Sequence, residues 1–530
     1  MKKYLTLILA AMILLLAGCK KESDEDLLID DPEPETMETA SAAESASAAE
    51  TVPPEETRIL TPETEPEETI PEVVEWEIGS RDYDLIAGMS DSFSRALRSS
   101  AALYYTEGVM KGENYLQFIR RADLSSGESR FYCRKPGCSH DSAECEAYFD
   151  GSLVQIYDNR LILQDSTPGS SLNLDSIPIG YQGERETFLK IPFTEIKERL
   201  DMDIPYLWPQ VVLHRDTAVI CLTEQGEFTG TGYEREGAED AAVPDWAEET
   251  KKSFESRYDY KALVCVYPFG TEGSGKVIPL VEREIPDVSN VFIEVLPCGD
   301  DIYILLEEML SEAYFEGDSS GGGGSACEHL KEMEIYRYRI GTENAELLFQ
   351  GPAPFDGLCG TTADGSAIRF LALRDAMEEE ADGFCDYLLT GFDLAEKRFY
   401  DPVSLFREDD YASRPRFGEG YIAAVSFKDP SLVSRGMIGN AALKDFGASK
   451  IHIYNFSGKE EQVFDFDMLV PESVGKAMEI HCVPLLTGCY AEEMMILGGD
   501  YSAYHAKSIR LLMSLRDGEL LTLHEKNQGE

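Results

Sequence analysis

The chain has 530 residues, with 47 Lys or Arg against 99 Asp or Glu, so its formal net charge at pH 7 is −52. No stripe of basic residues interleaved with aromatics occurs, which argues against a nucleic-acid partner. Hydrophobic residues make up 43% of the chain, enough for a large folded core.

Residues 1–18 have the organisation of a signal peptide. Two lysines precede an apolar run from Tyr4 to Leu16, which is shorter than the roughly 20 residues that a membrane-spanning helix needs. The run ends in the residues LAGC, at Cys19. This ending resembles the lipoprotein box of bacteria, and the resemblance implies that Cys19 is lipidated and becomes the mature N-terminus. The alternative is an ordinary signal peptide in which the position of Cys19 has no meaning.

Residues 19–78 are the predicted lipidated cysteine and an acidic linker. From Lys20 to Glu77 the sequence has twenty Asp or Glu against three basic residues, among Ser, Thr, Ala and Pro. Such a segment cannot bury enough apolar surface to offset the entropy of ordering it. We therefore expect a disordered tether on a lipid-anchored, extracytoplasmic protein whose partner at this end is membrane lipid. An acidic tail that binds a partner is the alternative.

Residues 79–530 contain a repeated pattern of apolar strands and tight turns. Each repeat has two strand-turn-strand segments. The first segments of the repeats span 101–108, 153–165, 211–222, 295–306, 360–373, 416–427 and 488–499. The second segments span 115–133, 187–200, 261–280, 334–350, 386–400, 450–466 and 508–523. The two kinds alternate, with period-two apolar residues and with Gly, Asp or Asn at the turns. This pattern predicts an all-β fold, a seven-bladed β-propeller of four-stranded antiparallel blades. In this pattern the chain also resembles bacterial TolB-like propellers and propeller lipoproteins of Gram-positive bacteria.

The long connections of the repeats should lie on one face of the ring. They join second to third strands at 225–260, 307–333, 374–384 and 428–449, whereas the other turns within a blade are short. Long loops on a rigid scaffold are the usual place for binding. The predicted contact residues on this face are the aromatics Tyr233, Trp246, Tyr258, Tyr314, Phe384 and Phe446. Local packing is the alternative role for each of them.

The segment from Cys133 to Cys145 contains three thiols and an imidazole, those of Cys133, Cys138, His140 and Cys145. A Cys₃His set satisfies tetrahedral zinc, and Pro136-Gly137 supplies a turn that brings the ligands together. The competing interpretation is a loop closed by a disulfide, since exported proteins often pair their cysteines. A Cys138–His140 nucleophile is disfavoured because no flanking pattern supplies an orienting group.

The sequence contains no complete catalytic motif, so an enzyme is not the favoured interpretation. The leading prediction is a membrane-anchored, non-catalytic propeller that binds an envelope protein, peptide or glycan. The two alternatives are a propeller hydrolase or lyase acting on polysaccharide and a substrate-binding lipoprotein of a transporter. No cofactor is predicted beyond zinc at the Cys133–Cys145 loop.

Overall fold

The computed structural model describes residues 96–525 except 112–113, 166–170, 181–183, 195, 197–208, 233–252, 270–274, 316–323, 375–386, 407–410, 413–414, 428–449, 466–484, 490–492, 500–507 and 517. The chain divides into two compact units, and every described residue belongs to the second, Val73–Glu530. The predicted signal peptide, Cys19 and the linker lie outside the described residues. Across the described part, no helix has the length and apolar character needed to cross a membrane.

The strands form successive groups along the chain, and each of the second to sixth groups is a separate antiparallel sheet. The first group has β1 (Ala96–Arg98), β2 (Ala102–Lys111), β3 (Asn114–Asp123) and β4 (Glu128–Phe131); the second sheet has β5 (Gly151–Tyr157), β6 (Arg160–Asp165), β7 (Ser171–Pro178) and β8 (Glu186–Pro192). The third sheet has β9 (Gln210–His214), β10 (Thr217–Thr231), β11 (Ser256–Pro268) and β12 (Ile278–Val288); the fourth has β13 (Asn290–Cys298), β14 (Asp301–Phe315), β15 (Gly324–Arg339) and β16 (Ala345–Gly351).

The next two sheets each contain an extra short strand. The fifth sheet has β17 (Gly357–Ala363), β18 (Ala367–Leu373), β19 (Tyr387–Asp393), β20 (Arg398–Phe399) and β21 (Val403–Ser404). The sixth has β22 (Tyr411–Ala412), β23 (Arg416–Phe417), β24 (Ile422–Phe427), β25 (Lys450–Tyr454) and β26 (Glu460–Asp465). In the fifth sheet β20 and β21 both pair with β19, and in the sixth β22 and β23 both pair with β24.

The last group of strands joins the first. It has β27 (Leu485–Cys489), β28 (Glu493–Gly499), β29 (Ser508–Ser514) and β30 (Leu520–Glu525). The two groups form one eight-stranded sheet in the order β1-β2-β3-β4-β30-β29-β28-β27. All its pairs are antiparallel except β4 with β30, which are parallel, with Glu128 opposite His524.

Successive sheets are in contact near their first strands. Strand β1 contacts β5, β5 contacts β9, β13 contacts β17, and β23 contacts β27, while β13 also contacts β10 and β11. This succession, with four-stranded antiparallel sheets, is a β-propeller. The predicted all-β propeller of four-stranded blades is therefore confirmed.

The predicted number of seven blades is wrong. The described strands form six sheets, because the parallel pair β4–β30 merges the first and last groups into one. Pairing between two outer strands so far apart in sequence leaves no local pattern, whereas each hairpin does. The correct description is six blades, one of them built from both ends of the domain.

Two further strand predictions need correction. The third and fourth strands of the second sheet are β7 and β8, so the predicted segment 187–200 supplies only the fourth. The predicted long loops at 225–260 and 307–333 are partly strand, because β10–β11 and β14–β15 continue their pairing well beyond the neighbouring strands. These two hairpins are the longest in the described part of the chain.

Hydrophobic clusters fill the spaces between adjacent sheets. Val219, Val264, Ile293 and Ile304 lie in the cluster between the third and fourth sheets. Because alternate residues of a strand point to opposite faces, a strand between two clusters is buried on both sides. These clusters therefore tie neighbouring sheets together and fix the positions of the connecting loops.

Candidate metal centre

The Cys133–Cys145 loop connects β4 to β5, so it links the first and second groups of strands. It contains no long strand or helix and is shaped by turns: the Cys138 amide donates to the Lys135 carbonyl at 3.2 Å, and the Cys145 amide to the Ser142 carbonyl at 3.1 Å. Gly137 has a φ of 69°, in the left-handed region that glycine adopts without steric cost. A side chain at this position would strain the turn that precedes Cys138.

The structure brings the four predicted ligands together. The Sγ atoms of Cys133, Cys138 and Cys145 and a ring nitrogen of His140 all lie within 4.8 Å of one another. The Nδ1 atom of His140 is 3.2 Å from Cys145 Sγ. None of the three cysteines is in a disulfide, so the disulfide-closed loop is not the arrangement found. The cluster can hold a metal ion.

The cluster sits against the core of the first group of strands. His140 and Cys145 are buried, and Cys133 and Cys138 are half-buried against the same hydrophobic cluster. The His140 ring stacks on Phe131 with their centroids 4.6 Å apart. This packing fixes the orientation of the imidazole before any ion binds.

The thiols differ in their electrostatic surroundings. A hydrogen bond from the His140 backbone is the largest influence on Cys138 and lowers the pKa of its thiol, with help from the neighbouring thiols and Lys135. Burial raises the pKa of the Cys145 thiol to about 12, and the nearby Cys138 and Cys133 add to this rise. A bound cation favours thiolates, so it would oppose the rise at Cys145.

Two hydrogen bonds join the two ends of the loop. The Arg134 amide donates to Glu146 Oε2 at 2.9 Å, and Lys135 Nζ donates to the Glu144 carbonyl. Both hydrogen bonds join the segment before the turn to the segment around Cys145. A cavity of about 340 Å³ lies beside Cys145, lined among others by Tyr132, Tyr148 and Arg185.

Most of the aromatic residues predicted on the binding face lie outside the part of the chain that the structure describes. Tyr233, Trp246, Phe384 and Phe446 lie outside the described residues, and for Tyr314 only the backbone in β14 is described. Tyr258 is in β11, and its ring lies 5.6 Å from that of Phe228 on β10. Phe228 is 57% exposed, so this pair is a surface contact within one extended hairpin.

A polar group in the sixth sheet was not among the sites predicted from the sequence. Ser426 Oγ lies 2.7 Å from His452 Nε2, and His452 Nδ1 lies 2.7 Å from Glu460 Oε1. The three residues come from β24, β25 and β26, and no motif surrounds any of them. Ser426 and His452 interrupt apolar runs in β24 and β25, but β26 is mostly polar, so Glu460 does not stand out in the sequence.

Comparisons with known proteins give matches only among solved structures. No protein-family model matches the sequence, and no curated protein matches it. A structure from a study of two prolyl endopeptidases is 11% identical, covering 84% of this chain and 50% of that one, with a TM-score of 0.39. The acylaminoacyl peptidase of Pyrococcus horikoshii is 13% identical, with coverage of 81% and 52% and a TM-score of 0.40. The chain thus spans about half the length of these two proteins.

A further match is the β-propeller domain of the Trilobed protease from Pyrococcus furiosus, 13% identical, covering 84% of this chain and 98% of that domain, with a TM-score of 0.38. These matches give no support to the predicted non-catalytic binding module, since the chains they come from are peptidases. At these identities and scores no activity is transferred to this chain. No sequence match supports the narrower TolB-like or Gram-positive assignment.

Proposed function

We propose that this chain is a lipid-anchored, extracytoplasmic β-propeller that holds a structural Zn²⁺ in its Cys133–Cys145 loop. The observation that carries the metal proposal is the approach of three thiols and one imidazole to within 4.8 Å of one another. In a tetrahedral zinc site with Zn–S bonds near 2.3 Å, sulfur atoms lie roughly 3.8 Å apart. The cluster therefore needs to contract by only about 1 Å to surround an ion.

The ligand set decides which ion and which role. Thiolate and imidazole ligands select zinc over calcium or magnesium, which prefer oxygen ligands. Four protein ligands fill a tetrahedral shell and leave no open position for substrate, so the role is structural. An ion here would fix the connection between β4 and β5, and with it the spacing between two neighbouring groups of strands.

Metal analysis of the chain, purified without chelators and under reducing conditions, tests this proposal. We expect about one zinc per chain, and substitution by Co²⁺ should give the absorption bands of a tetrahedral thiolate site. Cys138→Ser should lower the zinc content, whereas Cys298→Ser, at a half-buried cysteine far along the chain, should leave it unchanged. Protein that contains no zinc under these conditions would refute the proposal.

The anchor rests on the sequence from Tyr4 to Cys19 and is tested separately. The chain should partition with membranes and incorporate labelled fatty acid, and Cys19→Ser should abolish the incorporation. Cys298→Ser serves again as the control. Fatty-acid labelling that survives in Cys19→Ser would exclude Cys19 as the anchor.

A further inference from the structure

Ser426, His452 and Glu460 form a continuous chain of hydrogen bonds across the sixth sheet. Each of the two bonds is 2.7 Å long. A carboxylate only accepts hydrogen bonds, so Glu460 accepts one from the Nδ1–H group of His452. In the neutral form of the imidazole with its proton on Nδ1, Nε2 is an acceptor, and the Ser426 hydroxyl donates to it. This is the polarity in which a histidine removes a proton from a serine.

The strand register accounts for the arrangement. His452 lies opposite Ala424, so Ser426 is its diagonal neighbour on the same face of β24. Glu460 lies opposite Tyr454 on β26, and Tyr454 is two residues from His452 and therefore on the same face as His452. Diagonal neighbours on adjacent strands are within reach of long side chains. The backbone pairing thus fixes the positions of all three groups.

Within this series of hydrogen bonds, the Ser426 and His452 side chains are shielded from water. Ser426 is 4% exposed and His452 is 5% exposed. The ring of Phe406 meets the imidazole edge-on with centroids 6.0 Å apart, and Tyr454 stacks near it at 6.1 Å. In such surroundings a hydrogen bond is electrostatically stronger than in water. Glu460, by contrast, is 41% exposed, so its carboxylate stays in contact with water.

We propose that Ser426 is a nucleophile for acyl transfer, with His452 as its general base and Glu460 as a positioning residue. Ser426 Oγ forms a bond to the carbonyl carbon of an ester while His452 Nε2 takes the hydroxyl proton. The bond from that carbon to the alcohol oxygen then breaks, and His452 returns the proton to the leaving alcohol. Water hydrolyses the acyl-serine by the same two steps and restores the hydroxyl.

The burial of Ser426 restricts the substrate. Because only 4% of the residue is exposed, a bulky group cannot reach Oγ without moving the surrounding side chains. The aromatic neighbours favour an apolar acyl group over a charged one. We therefore assign small carboxylic esters as the substrate class. The inference is independent of the proposed zinc site, which lies on a different sheet.

Labelling of the full-length protein with a fluorophosphonate probe, followed by peptide mass spectrometry, tests the nucleophile. We expect phosphonylation of Ser426 in the wild-type chain and none at this position in Ser426→Ala. His452→Gln retains a hydrogen-bonding side chain but no base, and should slow labelling about 100-fold or more. Glu460→Gln should also slow it, and Glu460→Asp should restore part of the rate.

The matched control is Ser457→Ala. Ser457 is an exposed serine in the β25–β26 turn whose hydroxyl donates to Asn455 Oδ1 at 2.6 Å, so its loss should not affect labelling. Unfolding midpoints of all variants establish that differences in rate do not arise from misfolding. A second readout is a burst of p-nitrophenol from p-nitrophenyl acetate, equal to one acetyl group per chain. Absence of label at Ser426 in the wild type, or an equal rate in His452→Gln, would overturn the proposal.

Discussion

Glu307 of β14 and Glu294 of β13 are diagonal neighbours on one face of the fourth sheet, since Phe292 lies opposite Glu307. Burial raises the pKa of Glu307 well above its usual value, and the charges of Glu294 and Glu328 raise it further. Burial also raises the pKa of Glu294, against a hydrogen bond from Thr361 that lowers it. The fourth sheet thus contains two carboxyl groups that resist ionisation.

Replacing Glu307 by glutamine should stabilise the protein at neutral and alkaline pH. A carboxyl group with a raised folded-state pKa contributes stability that is fully present below its unfolded pKa, near 4.5, and is lost as the pH rises through the folded value. Each pKa unit corresponds to about 1.4 kcal/mol. Urea unfolding at pH 5 and pH 8 should show a larger benefit of Glu307→Gln at pH 8. Glu343→Gln, at an exposed residue, is the matched control.

The Asp364→Asn change should have the opposite pH dependence. Burial raises the pKa of Asp364, but hydrogen bonds from Ser366, Arg369 and Ala367 outweigh it and lower the pKa to about 2. The stability that this carboxylate contributes is present above the unfolded pKa of 3.8 and is lost as the pH falls through the folded value.

We expect Asp364→Asn to reduce the free energy of unfolding by about 1–2 kcal/mol at pH 7. The difference from the wild type should shrink between pH 4 and pH 2. Denaturant titrations across this range measure it, with Asp401→Asn, at an exposed position, as the control. An undiminished difference at pH 2 would contradict the assignment.

Removing the metal should destabilise the protein if zinc occupies the Cys133–Cys145 loop. An ion present at 100 to 1,000 times its dissociation constant stabilises the folded state by about 3–4 kcal/mol. A chelator should therefore lower the melting temperature of the wild type. Adding zinc back should restore it. Cys145→Ala should melt at the lower temperature and show no response to the chelator.

The aromatic cluster between the fourth and fifth sheets should be sensitive to truncation. Phe370 is fully buried, with its ring 5.5 Å from Phe355 and 5.8 Å from Phe399. Phe370→Ala removes these contacts and leaves a cavity, which should cost about 3–5 kcal/mol. Phe228→Ala removes a ring that is 57% exposed and should cost far less. Guanidinium unfolding of the two variants gives the comparison.

The hairpins could be predicted because their signals are local. In the β5–β6 turn, Asp158 and Asn159 have φ angles of 47° and 57°, a left-handed pair that Asp and Asn tolerate and that tight hairpins require. The candidate metal-binding residues could also be predicted, since all four lie between Cys133 and Cys145. The merging of β4 with β30 could not be predicted, because it joins segments from opposite ends of the domain.

The hydrogen-bonded group Ser426–His452–Glu460 could not be predicted from the sequence for a related reason. Its members are separated by 26 and 8 residues, and what unites them is the register of three strands. A shift of one residue in either pairing would turn a side chain to the opposite face and break the chain. Sequence periodicity locates strands, but it does not fix register to one residue across a connection as long as 428–449.

The parallel pair between Glu128 and His524 dictates when this domain can finish folding. The two residues are about 400 positions apart, so their contact forms only after all the blades between β4 and β30 have been synthesised. Until then the outer edge of β4 has no partner and is open to pairing with other chains. That strand has only four residues, and Glu128 and Arg130 place charges along it, both of which discourage aggregation at an unpaired edge.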